Sequence, residues 1–139
     1  MYNVAGAGPT DSIDKCIQVT YTGSLAADVK LYVASALGTL APYIDLEITP
    51  GTQTGGATFP DCTGFTGQAA GPVYTGTLAA FGTAHSSYAN GFVDNPGSAA
   101  SWVKDDAVIY RFRLTVRDDA DAAGKSTGAH TFTWEARDK

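Results

Sequence analysis

Between Ala107 and Arg117 the side chains fall into two alternating sets, Val108, Tyr110, Phe112, Leu114 and Val116 on one side and Ile109, Arg111, Arg113, Thr115 and Arg117 on the other. A period of two is the spacing of an extended strand, whose successive side chains leave opposite faces; it cannot line one side of a helix. The same period recurs along the chain. Ile17, Val19 and Tyr21 alternate with Cys16, Gln18 and Thr20 over 15–22, and Val29, Leu31 and Val33 with Asp28, Lys30 and Tyr32 over 28–34. Ile44, Leu46 and Ile48 alternate with Asp45, Glu47 and Thr49, after which Pro50-Gly51 reads as a turn. Over 129–137, Phe132, Trp134 and Ala136 point inward and Thr131, Thr133 and Glu135 outward, so that 107–117 and 129–137 read as a hairpin with a long polar tip. Each strand has one apolar face to hide and there is no sustained amphipathic helix to hide it against. The expectation is an all-β fold, a two-sheet antiparallel β-sandwich.

The remaining segments read as connections. Gly, Thr, Gln and Pro dominate 51–71, a long loop pinned by Phe59, Phe65 and Cys62, and 73–80 reads as a strand running into one short helix. Asn90-Gly91 and Asn95-Pro96-Gly97 mark two turns, and Trp102 precedes the strongest strand, where its ring would plug one end of the sandwich. With 139 residues and no internal repeat, a single domain over 15–139 is expected. Residues 1–14 are read as a trimmed N-terminal segment, because Met1 stands before a polar stretch without the features of an export signal.

Nine Lys and Arg against 14 Asp and Glu give a net charge of −5, which repels phosphate backbones, so nucleic acid is not an expected partner. No apolar run is long enough for a membrane span. Cys16 and Cys62 are the only cysteines, in a Gly- and Thr-rich chain of extracellular character, and a disulfide is the first reading. Two buried thiols remain the alternative, since sequence positions do not show that the two Cα atoms approach.

Catalytic signals are sparse. His85 and His130 are the only histidines, with no paired-histidine zinc motif, and Ser86-Ser87 beside His85 lack the strand-to-helix elbow that exposes a nucleophile. His85 could meet Asp94, but a loop histidine bonded to backbone is the plainer reading. Asp118, Asp119 and Asp121 crowd one loop in the manner of hard oxygen ligands for calcium, and Asp105-Asp106 do so less; a solvated charged turn explains them without an ion, so no cofactor is expected. The stripe of Arg111, Arg113 and Arg117 could contact an anionic ligand, although cross-strand pairing with carboxylates is the commoner use. Tyr32, on an outward face, is the aromatic best placed to stack on a sugar, and Tyr32, Arg111 and Arg113 are the candidate ligand contacts.

Several blocks carry a wider likeness: CIQVTYTGSLAADVKLYV from Cys16 to Val33, LAPYIDLEI from Leu40 to Ile48, YRFRLTV from Tyr110 to Val116 and FTWEA from Phe132 to Ala136. Through them the chain resembles the camelysin/TasA-type family of secreted bacterial proteins, over about residues 15 to 137. The resemblance implies a jelly-roll sandwich exported to the cell surface or to extracellular matrix fibres, with like subunits or a cell-surface polymer as partners. In fibre-forming members of such families an N-terminal strand of one subunit completes a sheet of the next; only 1–14 precede the first matching strand here, with Gly6, Gly8 and Pro9 among them, so a donor strand is expected to be absent or very short. The family's association with metal-dependent peptidase activity finds no matching ligand or catalytic pair. A structural or adhesive extracellular role is therefore the leading expectation, with a peptidase or a carbohydrate-binding module behind it.

Overall fold

The computed structural model describes residues 7–97 and 99–139. Its strands are β1 (Ser12–Thr20), β2 (Ala27–Val33), β3 (Ile44–Gln53), β4 (Phe65–Gly67), β5 (Tyr74–Thr77), β6 (Phe92–Val93), β7 (Ala107–Val116) and β8 (Phe132–Asp138), with one α-helix among the described residues, α1 (Leu78–Ala84), and short 3-10 turns at Ala41–Tyr43 and Ala120–Ala122. They build two antiparallel sheets. The larger runs β1-β7-β3, with β4 and β5 both pairing to β3, and the smaller runs β6-β2-β8. This is the expected two-sheet sandwich.

The inward sets meet between the sheets. Leu31 and Val33 of β2, Ile44, Leu46 and Ile48 of β3, Tyr110, Phe112 and Leu114 of β7 and Phe132 of β8 are all buried in one cluster. Ring contacts fix the stacking order: Tyr110 and Phe112 meet Phe132 and Trp134 at centroid distances of 4.9 to 6.2 Å, while Tyr74 meets Phe92 at 6.2 Å. Thus β8 lies over β7, β6 over β5, and β2 between them over β3. Among the described residues no strand lies over β1, whose inward Ile13, Lys15, Ile17 and Val19 stay half-buried.

Helix α1 follows β5 directly, as the sequence suggested. The Thr77 hydroxyl accepts from the Ala80 amide at 3.0 Å, satisfying one of the unpaired amides of the first turn, and Leu78 and Phe81 are fully buried. Trp102 is buried as expected, bridging to Ala27 and donating Nε1–H to the Asp94 carbonyl at 3.1 Å.

Three expectations need correction. Pro50-Gly51 is no turn: β3 continues through it to Gln53, because antiparallel phasing aims the Pro50 nitrogen away from β7, where no ladder hydrogen bond is lost. There β5 ends and β4 begins, and Gln68 donates to the Pro50 carbonyl at 2.9 Å. Strands β7 and β8 are no hairpin either. They lie in opposite sheets, and the connection between them is held in passing by Gly38, which donates to the Thr127 carbonyl at 2.6 Å, and by Leu40, which donates to Ser126 at 3.0 Å. Alternation shows which face of a strand is buried but not which sheet it joins. Finally, β1 begins at Ser12 rather than Lys15 and β8 at Phe132 rather than Ala129, and Ala136, on the inward set, is exposed because β8 is an edge. Within the N-terminal segment 1–14, residues 1–6 lie outside the described residues.

Candidate functional site

The outer face of the larger sheet holds the arginine stripe. Each guanidinium meets a carboxylate on a neighbouring strand: Arg113 donates Nε–H and an Nη2–H to the two oxygens of Asp14 at 2.8 and 2.7 Å, Arg111 donates to Glu47 at 2.9 Å, and Arg117 to Asp45 at 2.6 Å. Register explains the pairing: Asp14 stands directly opposite Arg113, while Glu47 and Asp45, opposite Arg113 and Thr115, are reached diagonally by Arg111 and Arg117. The hydrogen bond from Arg113 holds the Asp14 carboxyl below its ordinary range, against the opposing effect of burial. Arg111 also lies over the Phe65 ring, 5.3 Å from its centroid.

On the same face Cys16 and Cys62 form a disulfide with Cα atoms 5.1 Å apart, Cys16 being 1% exposed. It clips the 54–64 loop against the outer edge of β1, where Cys16 donates its amide to the Pro60 carbonyl at 3.2 Å. Gln53 braces the loop from β3, donating to the carbonyls of Asp61 and Thr63 at 3.0 and 3.1 Å.

Tyr32 sits on the outer face of the smaller sheet. Its hydroxyl donates to Glu135 at 2.7 Å, which pushes the phenol up and holds the carboxyl down, and Arg137 donates to the other Glu135 oxygen at 2.7 Å. Beside them Tyr88 donates to the Asp28 carbonyl at 3.0 Å, with Arg137 and Lys30 over its ring at 3.9 and 4.8 Å. Tyr32 and the two candidate arginines therefore lie on opposite outer faces and form no common site.

The histidines are apart as well. His85 Nδ1 is 2.8 Å from the Asn90 carbonyl, and its ring packs on Phe81 and Phe92, not on Asp94. Asp94 instead lies beside the buried Tyr110, the two lining a cavity of about 10 Å³. Burial pushes the Asp94 carboxyl up, and it drives the Tyr110 phenol far up. His130 precedes β8 with its ring edge-on to Phe132, and burial pushes its imidazole down. In the acidic loop, Asp119 accepts from the Asp121 amide at 2.8 Å, and no group of three or more His, Cys, Asp or Glu arranged to hold a metal ion occurs among the described residues.

What periodicity does not reveal is the open margin of the sandwich. Lys139 donates its amide to the Ala26 carbonyl at 3.1 Å, and this phase turns the amides and carbonyls of Phe132, Trp134, Ala136 and Asp138 to the free edge of β8. No other described strand pairs with that edge. Next to it lies the half-buried inner face of β1, over which no described strand is laid. An edge is a property of pairing, so only the neighbouring apolar residues of β1 could have signalled it.

No protein-family model, curated protein or solved structure matches the chain. Among the described residues no helix is long and apolar enough to cross a membrane.

Proposed function

We propose that the chain is a secreted structural or adhesive subunit, with no catalytic role, that joins like subunits at the cell surface or in an extracellular matrix by accepting an extended strand along β8. The observation that carries this reading is the pairing of a strand edge without a described partner with a half-buried apolar strip over which no described strand is laid. A strand added beside β8 would bond to the amides and carbonyls of Trp134 and Ala136 while covering Ile13, Ile17 and Val19 of β1. Backbone bonds and apolar cover together are the usual sources of affinity in strand addition. The disulfide supports the extracellular part, since such bonds persist in oxidising compartments. The likeness to the camelysin/TasA-type family points the same way.

The test is Ala136→Pro. Ala136 directs its amide outward, so proline there leaves the β2 ladder intact while removing a donor from the free edge. Electron microscopy and light scattering of the secreted protein should show assemblies for the wild type and their loss in the variant, at an unchanged melting temperature. A wild type that stays monomeric at all concentrations and never appears at the cell surface would overturn the reading.

A further inference from the structure

We infer that the strand received along β8 presents a carboxylate to Lys15, alternating with apolar side chains on either side of it; this rests on the strand-accepting reading above. Lys15 shares the inward face of β1 with Ile13, Ile17 and Val19, because Asp14 and Cys16 turn outward to Arg113 and Cys62. It is the one basic residue on an inward sheet face among the described residues. Every arginine has a carboxylate, and Lys30 and Lys125 rest on tyrosine rings. Lys15 forms no ion pair among the described residues.

Its neighbours make that cation consequential. Directly across the ladder stands Phe112, fully buried against Phe132 and Trp134 of β8, so Lys15 lies at the margin of the core on the side where β8 is open. Half-buried as it stands, its ammonium keeps water. A strand laid over β1 removes that water, and a desolvated ammonium is tolerated only with a charged partner. Apolar residues over Ile13 and Ile17 with a carboxylate over Lys15 satisfy the strip; an apolar or basic residue over Lys15 does not. The cation then selects by penalising wrong strands as much as by attracting the right one. A lysine placed only as a guard against stray edge pairing would discourage every incoming strand alike.

The experiment uses three synthetic peptides of alternating Thr and Val that differ at the central inward position, Glu, Val or Lys, with binding to the full chain followed by fluorescence anisotropy. The expected result is that the Glu peptide binds at least about tenfold tighter than the other two, with the margin shrinking in high salt. Lys15→Glu should reverse the order in favour of the Lys peptide, and Ala136→Pro should abolish binding of all three. Lys15→Met, which keeps the stem, should abolish the preference, and it serves where the charge reversal does not fold. Equal binding of the three peptides, or a Lys15→Met protein that takes up every peptide more tightly than the wild type, would overturn the assignment of Lys15 while leaving strand acceptance standing. Binding of none of them by wild type and variants alike would remove both.

Discussion

Asp14 and Arg113 stand opposite each other across the β1–β7 ladder and join through two parallel hydrogen bonds of 2.8 and 2.7 Å. The pair is half-exposed, with side chains 30% and 42% accessible, so its contribution stays in the range of surface pairs. Because the folded Asp14 carboxyl lies below its unfolded value, its stabilisation is present at neutral pH and is lost as pH falls from the ordinary carboxylate range through the folded value. Asp14→Asn should cost about 1 kcal/mol at pH 7. In urea titrations the difference from the wild type should vanish towards pH 2.

The Cys16–Cys62 bridge joins residues 46 apart in the chain. Closing a loop of that length restricts the unfolded chain by about 4 kcal/mol in the chain-entropy account. The double variant Cys16→Ser, Cys62→Ser should lose stability of that order, with a melting temperature lower by roughly 10 °C or more. Limited proteolysis should then cut first within 54–64, the loop that the bridge holds against β1.

Asp94 titrates in the opposite sense to Asp14. Burial raises its folded carboxyl above the unfolded value, so its contribution is fully present below the unfolded value and declines as pH rises through the folded one. Asp94→Asn keeps the size and polarity of the side chain beside Tyr110 but never ionises. The melting temperature of the variant relative to the wild type should therefore be higher at pH 7 than at pH 3; a difference independent of pH would show that Asp94 does not ionise at the cost of stability.

Gly51 lies where β4 closes on β3. A Cβ there would run into the Thr66 carbonyl oxygen and the Phe65 ring, and backbone cannot step aside as a flexible side chain can. Gly51→Ala should cost about 1–3 kcal/mol and loosen β4. Amide exchange at Thr52, Thr66 and Gln68, whose amides face across the β3–β4 ladder, should accelerate more than at Leu46, on the far half of β3.

Period-two alternation made the core legible. Ile48 and Phe112 were assignable as inward on sequence alone, and both are fully buried, because one wet face and one dry face leave a strand no other arrangement. The outward placement of Arg113 was equally plain, but its partner was not, since Asp14 is almost a hundred residues away and only register brings it opposite. The crossing from β7 to β8 escaped for a related reason: a polar connection looks the same whether it folds back in one sheet or climbs to the other. Pro50 misled because its missing donor matters only if that side of the strand needs one, which pairing decides. The free edge of β8 and the solitary cation of Lys15 were invisible as a site until stacking showed which strand has no described strand laid over it.

The 54–64 loop, fastened across the middle of β1, bears on how such a molecule can be extended. The latched edge of β1 and the open edge of β8 share one side of the sandwich, so on that side backbone pairing can proceed along β8 only. Any array built this way has a direction, because each subunit receives along one edge, and it cannot branch at β1 unless the latch is first undone.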